Sequence, residues 1–178
     1  MKIPWYIHGN WKLDSTQLTT LTNDVLKVAV KQKEDNFFTT FHSKDKDLKC
    51  LSFLKNFYKD RVDEIAKDQL IFDHCSIGFD FWSQVYNKTD SYHPIHDHFE
   101  CGGNVIISYV HFLKPVKPDC FRFTNEKEFQ IPQQEEGDFL VFPSYVPHVV
   151  LPHNSNESRV IVAGNIYIKQ HAKYNYNY

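Results

Sequence analysis

The chain's 178 residues are 42% hydrophobic and 24% charged, enough for one folded domain over 1–178 and too few for two ordinary ones. Twenty Lys+Arg against 22 Asp+Glu leave a formal charge of −2, so no basic excess exists to hold a phosphate backbone and there is no strong nucleic-acid signal. No apolar run approaches the roughly 20 residues that cross a bilayer, so no membrane partner is expected.

The first residues, Met1 to Trp5, lack the apolar core of a secretory signal, and Cys50, Cys75, Cys101 and Cys120 show no CxxC spacing. A reducing cytoplasm is the expected setting, with neither a disulfide framework nor a structural zinc knot. Leu18, Leu21, Val25 and Val28 recur at three to four residues behind the capping-box pair Asp14 and Gln17, and predict a helix over 15–32. Leu51, Leu54, Tyr58, Val62 and Ile65 form a second apolar stripe and predict a helix over 46–68. Residues 1–69 thus read as a helical support region.

Beyond Asp68 the pattern changes to short β-rich runs punctuated by Pro, Gly, Asn and Asp. Strands are predicted over 70–75, 77–86, 93–99, 104–113, 120–123, 128–131, 138–142, 148–151 and 159–168, with a frayed tail over 171–178. The fold class is α+β and mainly β: a jelly-roll (double-stranded β-helix) core over 70–170 carried by two N-terminal helices. An immunoglobulin-like sandwich is the rival architecture, but it leaves the histidines unexplained.

Six of the ten histidines fall between His93 and His153. On a strand, residues two apart share a face, so His96 and His98 present their imidazoles side by side while Asp97 points away. A first-row divalent ion needs a third ligand from elsewhere. The run from Gly137 through Phe142-Pro143 to His148 supplies one at the start of a strand that can lie beside His96. On 159–168, alternation sets Arg159, Ile161, Ala163 and Asn165 on one face. An inward arginine demands an anion, and its bidentate fork suits the far carboxylate of a dicarboxylate whose other end chelates the metal.

Taken together, Val85-Tyr86, His96-Asp97-His98, the strand from Gly137 to His148 and the strand from Arg159 to Asn165 resemble the Fe(II)- and 2-oxoglutarate-dependent oxygenases. The resemblance covers about half the chain, from Trp82 to Ile168, and is nearest to the small phage and bacterial, prolyl-4-hydroxylase-like group. It implies a dioxygenase that hydroxylates a substrate while 2-oxoglutarate becomes succinate and CO2. Catalytic metal ligands would be His96, His98 and His148 for Fe(II), with Arg159, Tyr86 and Asn165 binding the cosubstrate and dioxygen as co-reactant. Gln84 shares the strand face of Tyr86. The setting implied is a bacterial or phage-infected cytoplasm, and a protein side chain or small metabolite is the favoured substrate.

Most of the superfamily has His-x-Asp/Glu where this chain has His96-Asp97-His98, so a neutral ring replaces a carboxylate and more positive charge stays on the ion. Two other readings use the same residues. A cupin-type dioxygenase or isomerase would take Glu100 as a ligand and need no 2-oxoglutarate, and a non-catalytic jelly-roll binding protein would release no succinate. His93 reads as a neighbour of the ligands or a substrate contact, Asp138 as a turn residue, and Cys101-Gly102-Gly103 as a rim loop.

Overall fold

Asp14 starts the first helix as the sequence predicts: its carboxylate accepts from the Gln17 backbone N–H at 2.8 Å, and the Gln17 side chain accepts from the Asp14 N–H at 3.3 Å. This helix, α1, is Ser15–Val28, preceded by β1, Ile7–Asn10. It stops earlier than its apolar periodicity suggests, because Ala29 is extended and Val30–Lys31 pairs as β2 with β3, Phe38–Thr39. Helix α2 is Lys49–Glu64, followed by a turn of π-helix at Ile65–Gln69. The computed structural model describes residues 6–31, 37–41, 49–69, 75–87, 90–99, 105–117, 119–125, 127–153 and 155–171. Residues 70–74 of the first predicted strand, Glu100, the Cys101-Gly102-Gly103 loop and tail residues 172–178 lie outside these.

The remaining strands are β4 Cys75–Tyr86, β5 His93–His96, β6 Val105–Lys114, β7 Phe121–Thr124, β8 Phe129–Gln130, β9 Asp138–Pro143, β10 His148–Val150 and β11 Arg159–His171. They form a seven-stranded sheet in the order β1-β9-β6-β11-β4-β3-β2 and a four-stranded sheet in the order β5-β10-β7-β8. All the pairings are antiparallel, and the two sheets face each other as a jelly roll. The fold is α+β and mainly β. Gly137, at φ 84, makes the turn into β9 in a conformation that L side chains disfavour. Asp138 accepts from Asn10 Nδ2 and the Glu135 N–H, which makes it a turn-closing residue as its position suggests.

Strand alternation divides the interior into two apolar cores. Val160, Val162 and Ile166 of β11 pack with Leu21, Val25, Leu54, Tyr58 and Val62 of the helices. Ile161 and Ala163 face the other way, joining Phe112, Phe121, Phe123, Leu140 and Phe142 between the sheets. The helices therefore brace the back of the larger sheet while its front lines the roll. Leu54 is wholly buried. Leu54→Ala is expected to cost about 2–5 kcal/mol in urea unfolding; a loss under about 1 kcal/mol would mean that α2 does not pack as described.

Candidate metal centre and anion pocket

Strand β10 lies between β5 and β7, and its first residue, His148, is directly opposite His96. The third imidazole arrives by a different route from the one its spacing predicts. Strand β5 ends at His96 rather than at 99, and His98 sits in the bend beyond it, where its N–H donates to the Ser144 carbonyl at 2.9 Å. A long-range backbone bond thus replaces strand alternation as the device that turns His98 inward. The Asp97 carboxylate accepts from the Phe99 N–H at 3.0 Å, and Asp97 does not join the cluster.

One ring nitrogen from each of His96, His98 and His148 lies within 4.8 Å of the others, close enough for a single ion to reach all three. The opposite side of each ring is occupied. His96 Nδ1 is 2.8 Å from the Pro94 carbonyl, His148 Nδ1 is 3.0 Å from the Val146 carbonyl, and His98 Nδ1 is 2.7 Å from Asn165 Oδ1. Each of these partners is an acceptor, so each Nδ1 carries the proton and each Nε2 keeps its lone pair. Burial is the main reason the rings resist protonation: it lowers His96 to about 4, with His98 adding to the effect, and lowers His148 well below the ordinary value. His98 is lowered too, by burial, against the Asn165 hydrogen bond and the Asp80 and Asp97 charges. Three neutral, proton-directed imidazoles fit a divalent first-row ion.

The residues expected to bind an anion lie on the neighbouring strands β4 and β11. Arg159 pairs with Tyr86 across β4 and β11, Ile161 with Gln84, Ala163 with Trp82, and Asn165 with Asp80. Ile161 and Ala163 line the same cavity as the three histidines, so Arg159 stands one inward position below it, about 7 Å along the strand. Its side chain is 1% exposed, yet neither terminal guanidinium nitrogen has a hydrogen-bond partner among the described residues. The Tyr86 ring lies 5.0 Å from its Cζ, and the Tyr86 hydroxyl donates to Gln84 Oε1 at 3.0 Å. Burial lowers the pKa of Arg159, with Tyr86 opposing. A buried cation whose two donors have no partner is costly unless an anion completes it, and a carboxylate fits the paired terminal nitrogens.

The pocket that the three histidines line measures about 10 Å³, room for roughly one water, with His93, Gln84 and Trp82 in its wall. A five-carbon dicarboxylate would enter only if lining side chains rotate. The His93 ring rests on His96 with centroids 3.9 Å apart, and burial lowers its pKa to about 3. On the solvent side, a cleft of about 300 Å³ is bounded by Ile95, His96, Asp97, Asn125 and Pro147. Ile95, Phe99 and Tyr145 are exposed apolar side chains.

Two polar residues of the site escape a reading by spacing. Ser108 on β6 lies 2.9 Å from His98 Nδ1 and 3.1 Å from Asn165 Oδ1, and Asp80 on β4 accepts from the Asn165 N–H at 2.9 Å. The signal that could find them is a lone polar residue in an otherwise apolar strand, Ile-Ile-Ser-Tyr-Val for the buried Ser108 and Phe-Asp-Phe-Trp for the exposed Asp80. Asn165 thus touches a metal-site histidine, whereas the resemblance assigns it to the cosubstrate.

Residues 108–165 match the family described as "Putative 2OG-Fe(II) oxygenase", a stretch that contains Ser108, His148, Arg159 and Asn165. No curated protein matches the chain. Among solved structures it is similar to a prolyl-4-hydroxylase of Pseudomonas putida, at 15% identity, covering 91% of each chain with a TM-score of 0.66. It is likewise similar to the 2OG complex of a viral collagen prolyl hydroxylase from Paramecium Bursaria Chlorella virus-1, at 16% identity over 93% of this chain and 97% of that one, TM-score 0.65. A third similar structure is a Trichoplax adhaerens prolyl hydroxylase in complex with a peptide fragment of a hypoxia inducible factor oxygen degradation domain, at 14% identity, 91% and 83% coverage and TM-score 0.67. At these identities the structures establish the shared fold, and the stretch 108–165, about a third of the chain, is similar to the 2OG-Fe(II) oxygenase family.

Proposed function

We propose that the chain is an Fe(II)- and 2-oxoglutarate-dependent hydroxylase in which His96, His98 and His148 hold the iron and Arg159 holds the far carboxylate of the cosubstrate. The observation that carries this assignment is the buried guanidinium of Arg159, whose terminal nitrogens have no partner among the described residues, one inward position along β11 from the pocket of three converging imidazoles. The chemistry supplied at such a centre is oxidative: dioxygen is cleaved, 2-oxoglutarate becomes succinate and CO2, and one oxygen atom enters a C–H bond of the substrate.

The protein's own work is orientation and exclusion. Carbonyl acceptors at Pro94 and Val146 keep the His96 and His148 lone pairs inward, and Asn165 does so for His98. The cosubstrate's two negative charges answer the buried Arg159 and part of the ion's charge, which three neutral rings leave uncancelled. Val110, Phe121, Val150, Ile161 and Ala163 wall the cavity and keep bulk water from the reacting atoms. Tyr86 and Gln84, joined by their hydrogen bond, stand beside Arg159 as candidate polar contacts to the cosubstrate. The cleft beside His96, with the exposed Ile95 in its wall, supports a peptide side chain as the substrate, in keeping with the peptide in the similar Trichoplax complex. The buried arginine favours this reading over a cupin-type enzyme or a binding protein, which have no use for it.

Anaerobic addition of Fe(II) and 2-oxoglutarate together should produce a weak visible charge-transfer band that neither gives alone. Admission of air should then release succinate in proportion to both. Absence of the band and of succinate would overturn the proposal.

A further inference from the structure

Strand β4 has an edge that no described strand covers. From Cys75 to Tyr86 it pairs with β11, but on its other side β3 reaches only Gln84 and Val85. The last contact there is at Ser83, whose carbonyl accepts from the Thr40 N–H at 3.0 Å and whose N–H donates to Thr40 Oγ1 at 2.9 Å. Backbone groups alternate in direction along a strand, so those of Ile77, Phe79 and Phe81 face the same way as those of Ser83. Among the described residues they meet no strand there. The bare edge over 77–81 is about 13 Å long, and such an edge is a template for another strand.

This edge opens into a groove of about 670 Å³ whose opposite wall is α2. Lys55 and Lys59, one helical turn apart, line it from α2, and Lys169 lines it from β11. Gly78 makes room for the third: a Cβ there would collide with Tyr167 and Lys169, so its absence lets both side chains lie across the sheet beside the edge. All three lysines are exposed, and none forms an ion pair with a described residue. Two carboxylates share the groove, Asp63 and Asp80, and Asp80 is already engaged by the Asn165 backbone N–H. The groove is therefore left with a positive excess.

We propose that the free edge of β4 is a docking site for an extended, acidic segment of another polypeptide, added as a strand beside 77–81 with its carboxylates towards Lys55, Lys59 and Lys169. Main-chain hydrogen bonds supply the affinity, and the lysines select the sequence. A second copy of this chain fits less well, because a two-fold antiparallel pairing of β4 with itself would bring the three lysines of each copy together. The groove lies outside the histidine pocket, so the proposal does not rest on the assignment of the metal ligands.

The probe is a blocked peptide of alternating Glu and Val, about eight residues long. Its controls are a Lys/Val peptide and two copies of the Glu/Val peptide, one N-methylated on every Glu and one on every Val. By fluorescence anisotropy the full chain should bind the Glu/Val peptide in preference to the Lys/Val peptide. Affinity should fall as salt is added, and by about tenfold or more when Lys55→Glu and Lys59→Glu are combined. One of the two methylated copies should lose binding, since one set of its N–H groups must face β4; this control uses the wild-type chain and holds even if the lysine variant does not fold. Amide exchange at Phe79 and Phe81 should slow when the peptide binds. Failure of the Glu/Val peptide to bind, equal binding of the Lys/Val peptide, or full binding of both methylated copies would overturn the proposal. So would slow exchange at Phe79 and Phe81 in the free monomer, which would mean that the chain covers its own edge, or protection that appears only as the chain dimerises, which would give the edge to a second copy.

Discussion

His148→Ala will abolish tight Co(II) and Fe(II) binding, whereas Arg159→Met will leave the metal bound and weaken 2-oxoglutarate by roughly 10²–10⁴-fold. The two variants separate the halves of the site. His148 is fully buried on β10 opposite His96, so its truncation leaves two imidazoles, and a divalent ion held by two neutral rings exchanges freely with water. Arg159 would contribute two charge-assisted hydrogen bonds, each worth about 1.5–3 kcal/mol, and their loss sets the expected range. Methionine suits the comparison because it fills similar volume and removes a buried charge rather than stranding one, so the fold should hold or gain stability. Calorimetric titration of metal first and 2-oxoglutarate second reads both effects. An unchanged cosubstrate affinity in Arg159→Met would place the anion site elsewhere, and normal metal affinity in His148→Ala would remove that residue from the ligand set.

Local periodicity made much of this molecule legible. The alternation of Arg159, Ile161, Ala163 and Asn165 against Val160, Val162 and Ile166 is a period-2 signal, and it correctly divides β11 between the roll and the helices. The capping pair Asp14 and Gln17 locates the start of α1 because both partners lie within four residues. What depends on distant chain was not legible. Strands β1, β2 and β3 exist because their residues find partners, as His8 does opposite Leu140 and Val30 opposite Thr39, and two to four residues carry too little pattern to announce that. The end of α1 is the same case, since Val28-Ala29-Val30 continues the apolar stripe until pairing with β3 takes over. His98 is the instructive one. Its spacing from His96 led to the right residue for an incomplete reason, because its inward turn is set by Ser144, forty-six positions away. Asp80 and Ser108 become visible only when β4, β6 and β11 lie side by side, with Asn165 between them.

Acidification will unfold the metal-free protein well before its surface carboxylates are protonated, and His111 will account for a measurable share. This residue lies behind the sheet, away from the triad, clamped between α2 and the N-terminal segment: its Nε2 donates to the Trp11 carbonyl at 2.9 Å and its Nδ1 accepts from the Tyr58 hydroxyl at 2.7 Å. Burial lowers its pKa to about 4, with the Arg61 charge reinforcing the shift and the Trp11 hydrogen bond opposing it. The folded value lies below the ordinary 6.5, so between the two the unfolded chain binds the extra proton. Stability from this group is therefore complete above pH 6.5 and is lost progressively as pH falls towards 4. Over that window the shift is worth about 3 kcal/mol, a large fraction of the roughly 5–15 kcal/mol that holds an ordinary domain together. His96 and His93, lowered to about 4 and about 3, act in the same direction. His111→Gln retains a donor for Trp11 and an acceptor for Tyr58 without a proton to gain, so it should flatten the dependence of urea unfolding on pH between 6.5 and 4 by close to one proton. An unaltered slope in that variant would show that the buried ring does not titrate with unfolding, and would leave the acid sensitivity to the histidines of the metal site.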